Sequence, residues 1–247
     1  KDVRHVTGSA TAFAAIRSDG SVVSWGDSAC GGDSKSVTSD LFQVRAIQST
    51  SFAFAALRAD GHVITWGGAS CGGDSSSVQH RLRDVRQLAS SANAFAAILA
   101  NGAVVTWGEP ECGGDSEAVK EHLHEVQEVQ STQRAFAAIR RDGSVVTWGD
   151  PDFGGDSRDV QHNLQHVLQV RGSQGAFAAI CVDGVVITWG DFLYGGDSSH
   201  VRDKLQHVQH IHASQKAFAA VLADGQIVTW GDPRCGGDSS NVQPLLT

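Results

Sequence analysis

Residues 135–170 read AFAAIRRDGSVVTWGDPDFGGDSRDVQHNLQHVLQV. The run Ala135–Arg140 is apolar and of strand length. Asp142-Gly143 supplies the two central residues of a tight hairpin, where both need positive φ. Val145 to Trp148 is then the return strand, and a two-residue turn sets Ile139 opposite Val146 and Ala138 opposite Thr147. Both faces of this hairpin are largely apolar, so both must be covered. A loop follows from Gly149 to Gly155. Asp156-Ser157 then precede Val160, Leu164 and Val167, at spacings of four and three. An Asp or Ser before such a pattern signals a helix N-terminus, and the spacing predicts a short helix over about residues 157–165. Residues 167–170 are read as a further strand that begins the next unit. One continuous helix through Val170 is the alternative, because no Gly or Pro separates the two.

The stretch is one copy of a repeat. Trp25, Trp66, Trp107, Trp148, Trp189 and Trp230 stand 41 residues apart, and so do Phe13, Phe54, Phe95, Phe136, Phe177 and Phe218. The turn position holds Asp-Gly in five copies and Asn101-Gly102 in one. Such a period marks a repeat architecture. The expected fold is β-rich with short helices: a closed six-bladed propeller-like ring, each blade three antiparallel strands plus one outer helix, in a single domain over residues 1–247. An open stack would need atypical capping repeats at its ends, and the first and last copies look like the middle ones. The chain begins on strand residues Val3 and Val6 and ends on helix residues Val242 and Leu246, so Lys1 is expected beside Thr247.

The succession Val85-Arg-Gln-Leu88, Ala94-Phe-Ala-Ala-Ile98, Asn101-Gly102, Val104-Val-Thr-Trp-Gly108 and Gly113-Gly114 resembles the regulator-of-chromosome-condensation repeat. The resemblance extends over all six copies and implies a β-propeller. Members typically have seven blades of four strands, with repeats of about 50 residues or more. Here the copies are fewer and shorter, and a helix is expected where the fourth strand would be. The Gly and His that often precede the Ala-rich strand are replaced, as at Asn93 and Arg134. The family includes a guanine-nucleotide exchange factor, a plant ultraviolet-B photoreceptor and modules of ubiquitin ligases. The photoreceptor's Gly-Trp-Arg-His-Thr setting and the exchange factor's wedge loop have no match, so neither activity is carried over.

Nineteen Lys and Arg against 27 Asp and Glu give a net charge of −8. With no basic run, nucleic acid is not an expected partner. No stretch reaches the ~20 apolar residues of a membrane span. The absence of methionine points to a processed chain, an excised segment or an engineered one. Four of the five cysteines (Cys30, Cys71, Cys112 and Cys235) share one slot, which holds Phe153 and Tyr194 in the other two copies. A slot that accepts all three side chains reads apolar bulk, so reduced thiols are expected, and with them a reducing intracellular compartment. Asp33, Asp74, Asp115, Asp156, Asp197 and Asp238 also recur. They are read as helix caps, because calcium needs its ligands around one ion. Asp150, Asp152 and Asp156 of one loop are a weaker cation candidate. The Gly-Gly pairs are read as turns and the tryptophans as core. No nucleophile–base set is discernible, so no enzyme and no cofactor is expected.

The resulting expectation is a monomeric, non-catalytic scaffold that binds a protein partner through loops on one face. The alternatives are an enzyme or small-ligand binder at a channel mouth, and an engineered repeat without a biological task. Two loops of each blade share that face and vary between copies: the one before the Ala-rich strand and the one after Trp-Gly. The candidate contact residues are Phe52, Arg134, Phe192, Leu193, Tyr194 and Lys216. The competing reading tucks Phe192 and Tyr194 inward, between blades.

Overall fold

The structure is a computed structural model, and it describes residues 2–245. Its contacts divide the chain into two units, residues 1–125 and 126–247. Each unit holds three sheets, and each sheet has three antiparallel strands joined in sequence order. In unit 1 the Ala-rich central strands are Ala12–Arg17, Ala53–Arg58 and Ala94–Leu99. In unit 2 they are Ala135–Arg140, Ala176–Cys181 and Ala217–Leu222. A V-x-x-V strand flanks each on one side, and a strand ending in Trp-Gly flanks it on the other. Residues 167–170 thus fall in a strand, Val167–Gly172, paired to Ala176–Cys181. The expected contact of Lys1 with Thr247 involves residues outside those described.

The hairpin register differs from expectation by one residue. Ile139 faces Val145 and Ala138 faces Val146, which brings Phe136 opposite Trp148. Only Gly143 of the turn has positive φ, at 79°. Gly143 N–H donates to the Arg140 carbonyl, and Arg140 N–H to the Ser144 carbonyl. This is a three-residue loop, a type I turn followed by a left-handed glycine, not a two-residue turn. Asp142 secures it by accepting from Ser144 N–H at 3.0 Å.

The expected outer helix is present in every repeat, but as a 3-10 segment and over fewer residues than expected. Residues 157–165 form no α-helix; only Gln161–Asn163 is helical, as a single 3-10 turn. The segments alternate along the chain. Repeats 1, 3 and 5 have six-residue 3-10 helices, Lys35–Asp40, Glu117–His122 and Ser199–Lys204. Repeats 2, 4 and 6 have three-residue ones beginning at Gln79, Gln161 and Gln243. Both forms open with the same backbone bond, from Val37 N–H to the Ser34 carbonyl and from Val160 N–H to the Ser157 carbonyl, and the glutamine adds side-chain contacts in repeats 2, 4 and 6. Gln161 Nε2 donates to the Val145 carbonyl at 3.0 Å, its Oε1 accepts from Ser157, and Gln79 does the same with Val63 and Ser75. These contacts hold the segment against the edge of the third strand. A hydroxyl pair adds to them in every repeat, as between Thr147 and Ser157 at 3.0 Å. The chain then turns into its next strand through a left-handed non-glycine residue: Gln43, Asp84, Glu125, His166 or His207. That reversal stops the helical path.

The recurrent aspartates close local turns and do not cap the helical segments, whose N-cap residues Ser34, Val78, Ser116, Val160 and Ser198 make no side-chain cap bond. Asp74 accepts from Ser76 N–H and Asp156 from Arg158 N–H, each two residues on. A second short 3-10 turn, absent from the sequence reading, follows Trp-Gly, as in Pro151–Phe153. It ends on a left-handed glycine, Gly154, with φ 89°.

Sheets within a unit pack face to face. In unit 1, Ala12, Ala14, Ile16, Val22, Cys30 and Leu41 of repeat 1 meet Val44, Ile47, Phe54, Ala56 and Trp66 of repeat 2. The alanines let the sheets approach closely. Phe54 lies against Trp66, with centroids 5.3 Å apart and planes 18° apart. The Trp66 indole N–H donates to the Gly31 carbonyl of the preceding repeat at 2.9 Å. Gly31 has a second reason to be glycine, since a Cβ there would lie 2.5 Å from the Phe54 ring. Trp107 repeats the bond to Gly72, and in unit 2 Trp189 and Trp230 repeat it to Gly154 and Gly195.

Stability should respond to this geometry in two measurable ways. A methyl group at Gly143 would meet His166 Cα at 2.7 Å, whereas at Gly225, in the same turn of repeat 6, it meets nothing within 4 Å. Both glycines are left-handed, so alanine costs about 1–2 kcal/mol at either site. Gly143→Ala should cost about 1 kcal/mol or more beyond Gly225→Ala, because backbone cannot yield cheaply; urea denaturation measures both. The second response is to acid. Hydrogen bonds from Ser76 N–H to Asp74, from Ser199 N–H to Asp197 and from Ser240 N–H to Asp238 hold these carboxyls below their ordinary pKa. Their folded pKa values lie below the unfolded value of about 3.9. Their contribution is therefore complete above that pH and is lost as pH falls through the lower folded values. Denaturation midpoints should hold between about pH 5 and 7 and drop below about pH 4.

Candidate functional site

Ala135 pairs with Gly149, so the loop before the Ala-rich strand adjoins the loop after Trp-Gly at one end of the sheet. The Asp142 turn lies at the other end. Asp150 N–H donates to the Arg134 carbonyl at 2.9 Å, which ties the two loops together. The same bond joins Asp191 to Gly175 and Asp232 to Lys216.

In unit 2 the variable side chains of these loops form a chain of contacts. Arg134 pairs with Asp150 at 3.0 Å and lies over the Phe153 ring, 5.4 Å from its centroid. Phe153 faces Tyr194 at 6.3 Å, and Lys216 Nζ stands 4.9 Å from the Tyr194 ring centre. Cation, two aromatic rings and cation thus follow one another across repeats 4, 5 and 6. A cation over an aromatic face gains roughly 0.5–1 kcal/mol at exposed sites. Tyr194 is half-buried and packs against the core of repeats 5 and 6. Its room comes from Gly175, where a Cβ would lie 2.9 Å from the Tyr194 ring.

Phe192 and Leu193 behave differently from Tyr194. They belong to the same 3-10 turn, yet they are 70% and 58% exposed. Asp191 caps that turn by accepting from Leu193 N–H at 2.8 Å. A cleft of about 750 Å³ lies beside it, between repeats 4 and 5. Carboxylates of Asp152, Asp156, Asp159 and Asp191 line it, together with Phe153 and Phe192. Arg158 binds Asp156 through Nε at 2.9 and 3.0 Å, and the Arg158 side chain is the main reason the Asp156 carboxyl sits below its ordinary pKa.

The sequence-predicted residues thus separate into three groups. Arg134, Tyr194 and Lys216 join one contact chain, and Phe192 and Leu193 project from its middle. Phe52 is 40% exposed in unit 1, where it occupies the same loop position as Arg134. Phe153 and Gly175 also belong to this contact chain, and the sequence reading left them out. A coupled signal marked the glycine: the one copy with Tyr194 in the cysteine slot also has Gly175 before its Ala-Phe pair. The cation candidate of one loop is not assembled. Asp150 is engaged by Arg134 and by Asp152 N–H, and among the described residues no three His, Cys, Asp or Glu groups converge as metal ligands do. All five cysteines are free thiols.

The coupling of Gly175 to Tyr194 is testable. Gly175→Ala should destabilise the chain, because its methyl group would press on the ring. Adding Tyr194→Cys should recover most of that loss. Contacting residues show interaction energies of about 0.5–3 kcal/mol in such a double-mutant cycle, and urea denaturation of the four proteins reads it.

No protein-family model matches this sequence. No curated protein sequence matches it either. Solved structures do. Human WBSCR16 aligns over 94% of this chain and 76% of its own, at 14% identity and a TM-score of 0.58. Yeast RCC1 (Prp20), solved with Kap60 bound, aligns over 94% and 70%, at 16% identity and a TM-score of 0.58. A second structure of Prp20p from Saccharomyces cerevisiae gives 93% and 72%, at 16% identity and a TM-score of 0.57. That structure of Prp20p was described together with its binding properties to Gsp1p and histones. With six three-stranded antiparallel sheets in tandem, the chain has the β-propeller fold that these RCC1-type proteins share.

Proposed function

We propose that the chain is a non-catalytic protein-interaction scaffold that grips its partner with the loop edge of repeats 4 to 6. One observation carries this reading: Phe192 and Leu193 are held out into solvent on a capped turn, while Tyr194 of the same turn anchors it in the core. A rigid support that presents exposed apolar side chains is the arrangement of an interface anchor. The acidic cleft beside Phe192 suits a partner segment that carries basic residues next to apolar ones. The fold supports the reading, because yeast RCC1 (Prp20) was solved with Kap60 bound.

The test replaces Phe192 and Leu193 by Ser together. Exposed sites of this kind change stability by about 0.5 kcal/mol or less, a Tm shift of about 1–2 °C for a chain of this size. Capture of a protein partner by the immobilised chain should be lost in the variant, and wild-type capture should weaken with added salt. A large fall in Tm would place the two side chains in the core, and undiminished capture would place the interface elsewhere. Either result overturns the proposal.

A further inference from the structure

The sheet of repeat 5 ends at an open edge. Its three strands pair in sequence order, so the strand Val186–Gly190 has a neighbour on one side only. Antiparallel strands alternate bonded and non-bonded pairs. Cys181 N–H donates to the Val185 carbonyl and Asp191 N–H to the Gly175 carbonyl. Ala179 with Ile187 and Phe177 with Trp189 are then the bonded pairs between them. Val186, Thr188 and Gly190 alternate with these, so their N–H and C=O groups turn away from the Ala-rich strand. Gly196 closes the Gly190 end, since a Cβ there would lie 2.3 Å from the Gly190 carbonyl oxygen. The Thr188 hydroxyl meets Ser198 at 3.1 Å. The backbone groups of Val186 and Thr188 have no hydrogen-bond partner among the described residues.

Repeats 2, 4 and 6 close the same position internally. Gln79, Gln161 and Gln243 donate to the carbonyls of Val63, Val145 and Ile227. Repeat 5 has Arg202 in that place, and Arg202 does not bond Val186. A cleft of about 360 Å³ lies instead between Val186 and residues 202–207. The acidic cleft of repeats 4 and 5 reaches Thr188. Repeat 3 also lacks the glutamine, but there Val105 and Thr106 are buried, whereas Ile187 and Thr188 are partly exposed.

An unpaired strand edge is a template for another strand. We infer that an extended, basic segment of a partner protein adds to Val186–Gly190 as a fourth strand of this sheet. Val186 and Thr188 supply two N–H donors and two carbonyl acceptors, which bind a backbone whatever its side chains. Charge selects the side chains. Arg158 holds Asp156, and Asp152 and Asp159 stand exposed on the same wall of the acidic cleft. One alternate set of side chains on the added strand runs along that wall, so lysine or arginine is favoured there. Arg202 and Asp203 flank the Val186 end and offset each other. This added strand rests on the scaffold reading, in which the loop edge of repeats 4 to 6 meets a partner.

Labelled synthetic peptides test it, with Kd read by fluorescence anisotropy. The probe is Lys-Val-Lys-Val-Lys-Val-Lys. Two relatives carry backbone N-methyl groups, one on its lysines and the other on its valines. Alternate N–H groups of a strand point to opposite edges, so one methylated peptide should bind about tenfold more weakly and the other about as well as the probe. Arg202→Gln gives repeat 5 the internal donor of its neighbours and should weaken probe binding about fivefold. Charge alone predicts the opposite, because a cation is removed beside a cationic peptide. Circular dichroism checks that this variant is folded, and the methylated pair decides the matter in the wild-type chain alone. Equal effects of the two methylations, tighter binding by Arg202→Gln, or no binding of the probe overturns the added strand. Equally tight binding of a helical lysine–leucine peptide of the same charge does so too. The chain with Ser at positions 192 and 193 separates the two proposals. If it loses the probe while methylation has no effect, the interface stands and the added strand falls. If it keeps the probe and one methylation weakens binding, the strand stands without the anchor.

Discussion

Phe54, Phe95, Phe177 and Phe218 of the central strands each lie between two partners. On one side is the tryptophan of its own sheet, and on the other is a glycine of the repeat before it. The tryptophan in turn sends its indole N–H past the ring to the carbonyl of that glycine, at 2.9 Å from Trp66 to Gly31. The arrangement joins burial, ring stacking and a hydrogen bond at one point. It allows only glycine at the contact, since the ring occupies the place of a Cβ, and the backbone there is left-handed at φ 91°. An indole N–H left unpaired in such a core would cost about 1–3 kcal/mol. The alanines of the central strands, the glycine pair and the fixed spacing from Trp to Gly all serve this contact. No large side chain could replace those alanines without parting the sheets.

Much of this was legible in the sequence because it is periodic. The Trp and Phe series gave the number of units, and the Ala-rich run with its Asp-Gly turn gave the hairpin. Asp and Ser after the glycine pair marked a change of chain direction, though the aspartate closes a turn there and caps no helix. Three features were not legible. Asp142-Gly143 permits a two-residue turn or a three-residue one, and the choice moved every cross-strand pair by one. The reversal at Gln43, Asp84, Glu125, His166 and His207 is left-handed without glycine, because the hairpin turn of the preceding sheet holds it: Val167 N–H bonds the Gly143 carbonyl. A tertiary contact of that kind leaves no local mark. The Val160, Leu164, Val167 spacing suggested a short helix over about residues 157–165, of which only Gln161–Asn163 winds as one, in 3-10 form.

The candidate site was legible in part, since it consists of departures from the repeat. Arg134, Phe192, Leu193, Tyr194 and Lys216 stood out because the framework around them does not change. Their division into anchored and exposed members was not readable, because Phe192 and Tyr194 are both aromatic and only two positions apart. The difference arises from the 3-10 turn, whose tight winding points one ring into water and the other over Gly175. The acidic cleft likewise draws on two repeats, with Asp152, Asp156 and Asp159 from one and Asp191 from the next.

The alternation of the 3-10 segments has a consequence for how such a chain changes in length over generations. Gln79, Gln161 and Gln243 mark every second copy, and the intervening copies have Thr38, Lys120 and Arg202 in that place. Duplication or loss of one 41-residue copy sets two like segments next to each other, whereas a change of two copies, 82 residues, preserves the order. The heritable module that keeps this pattern intact is therefore the pair. Unequal crossing-over between tandem copies should leave descendants whose repeat counts differ by even numbers.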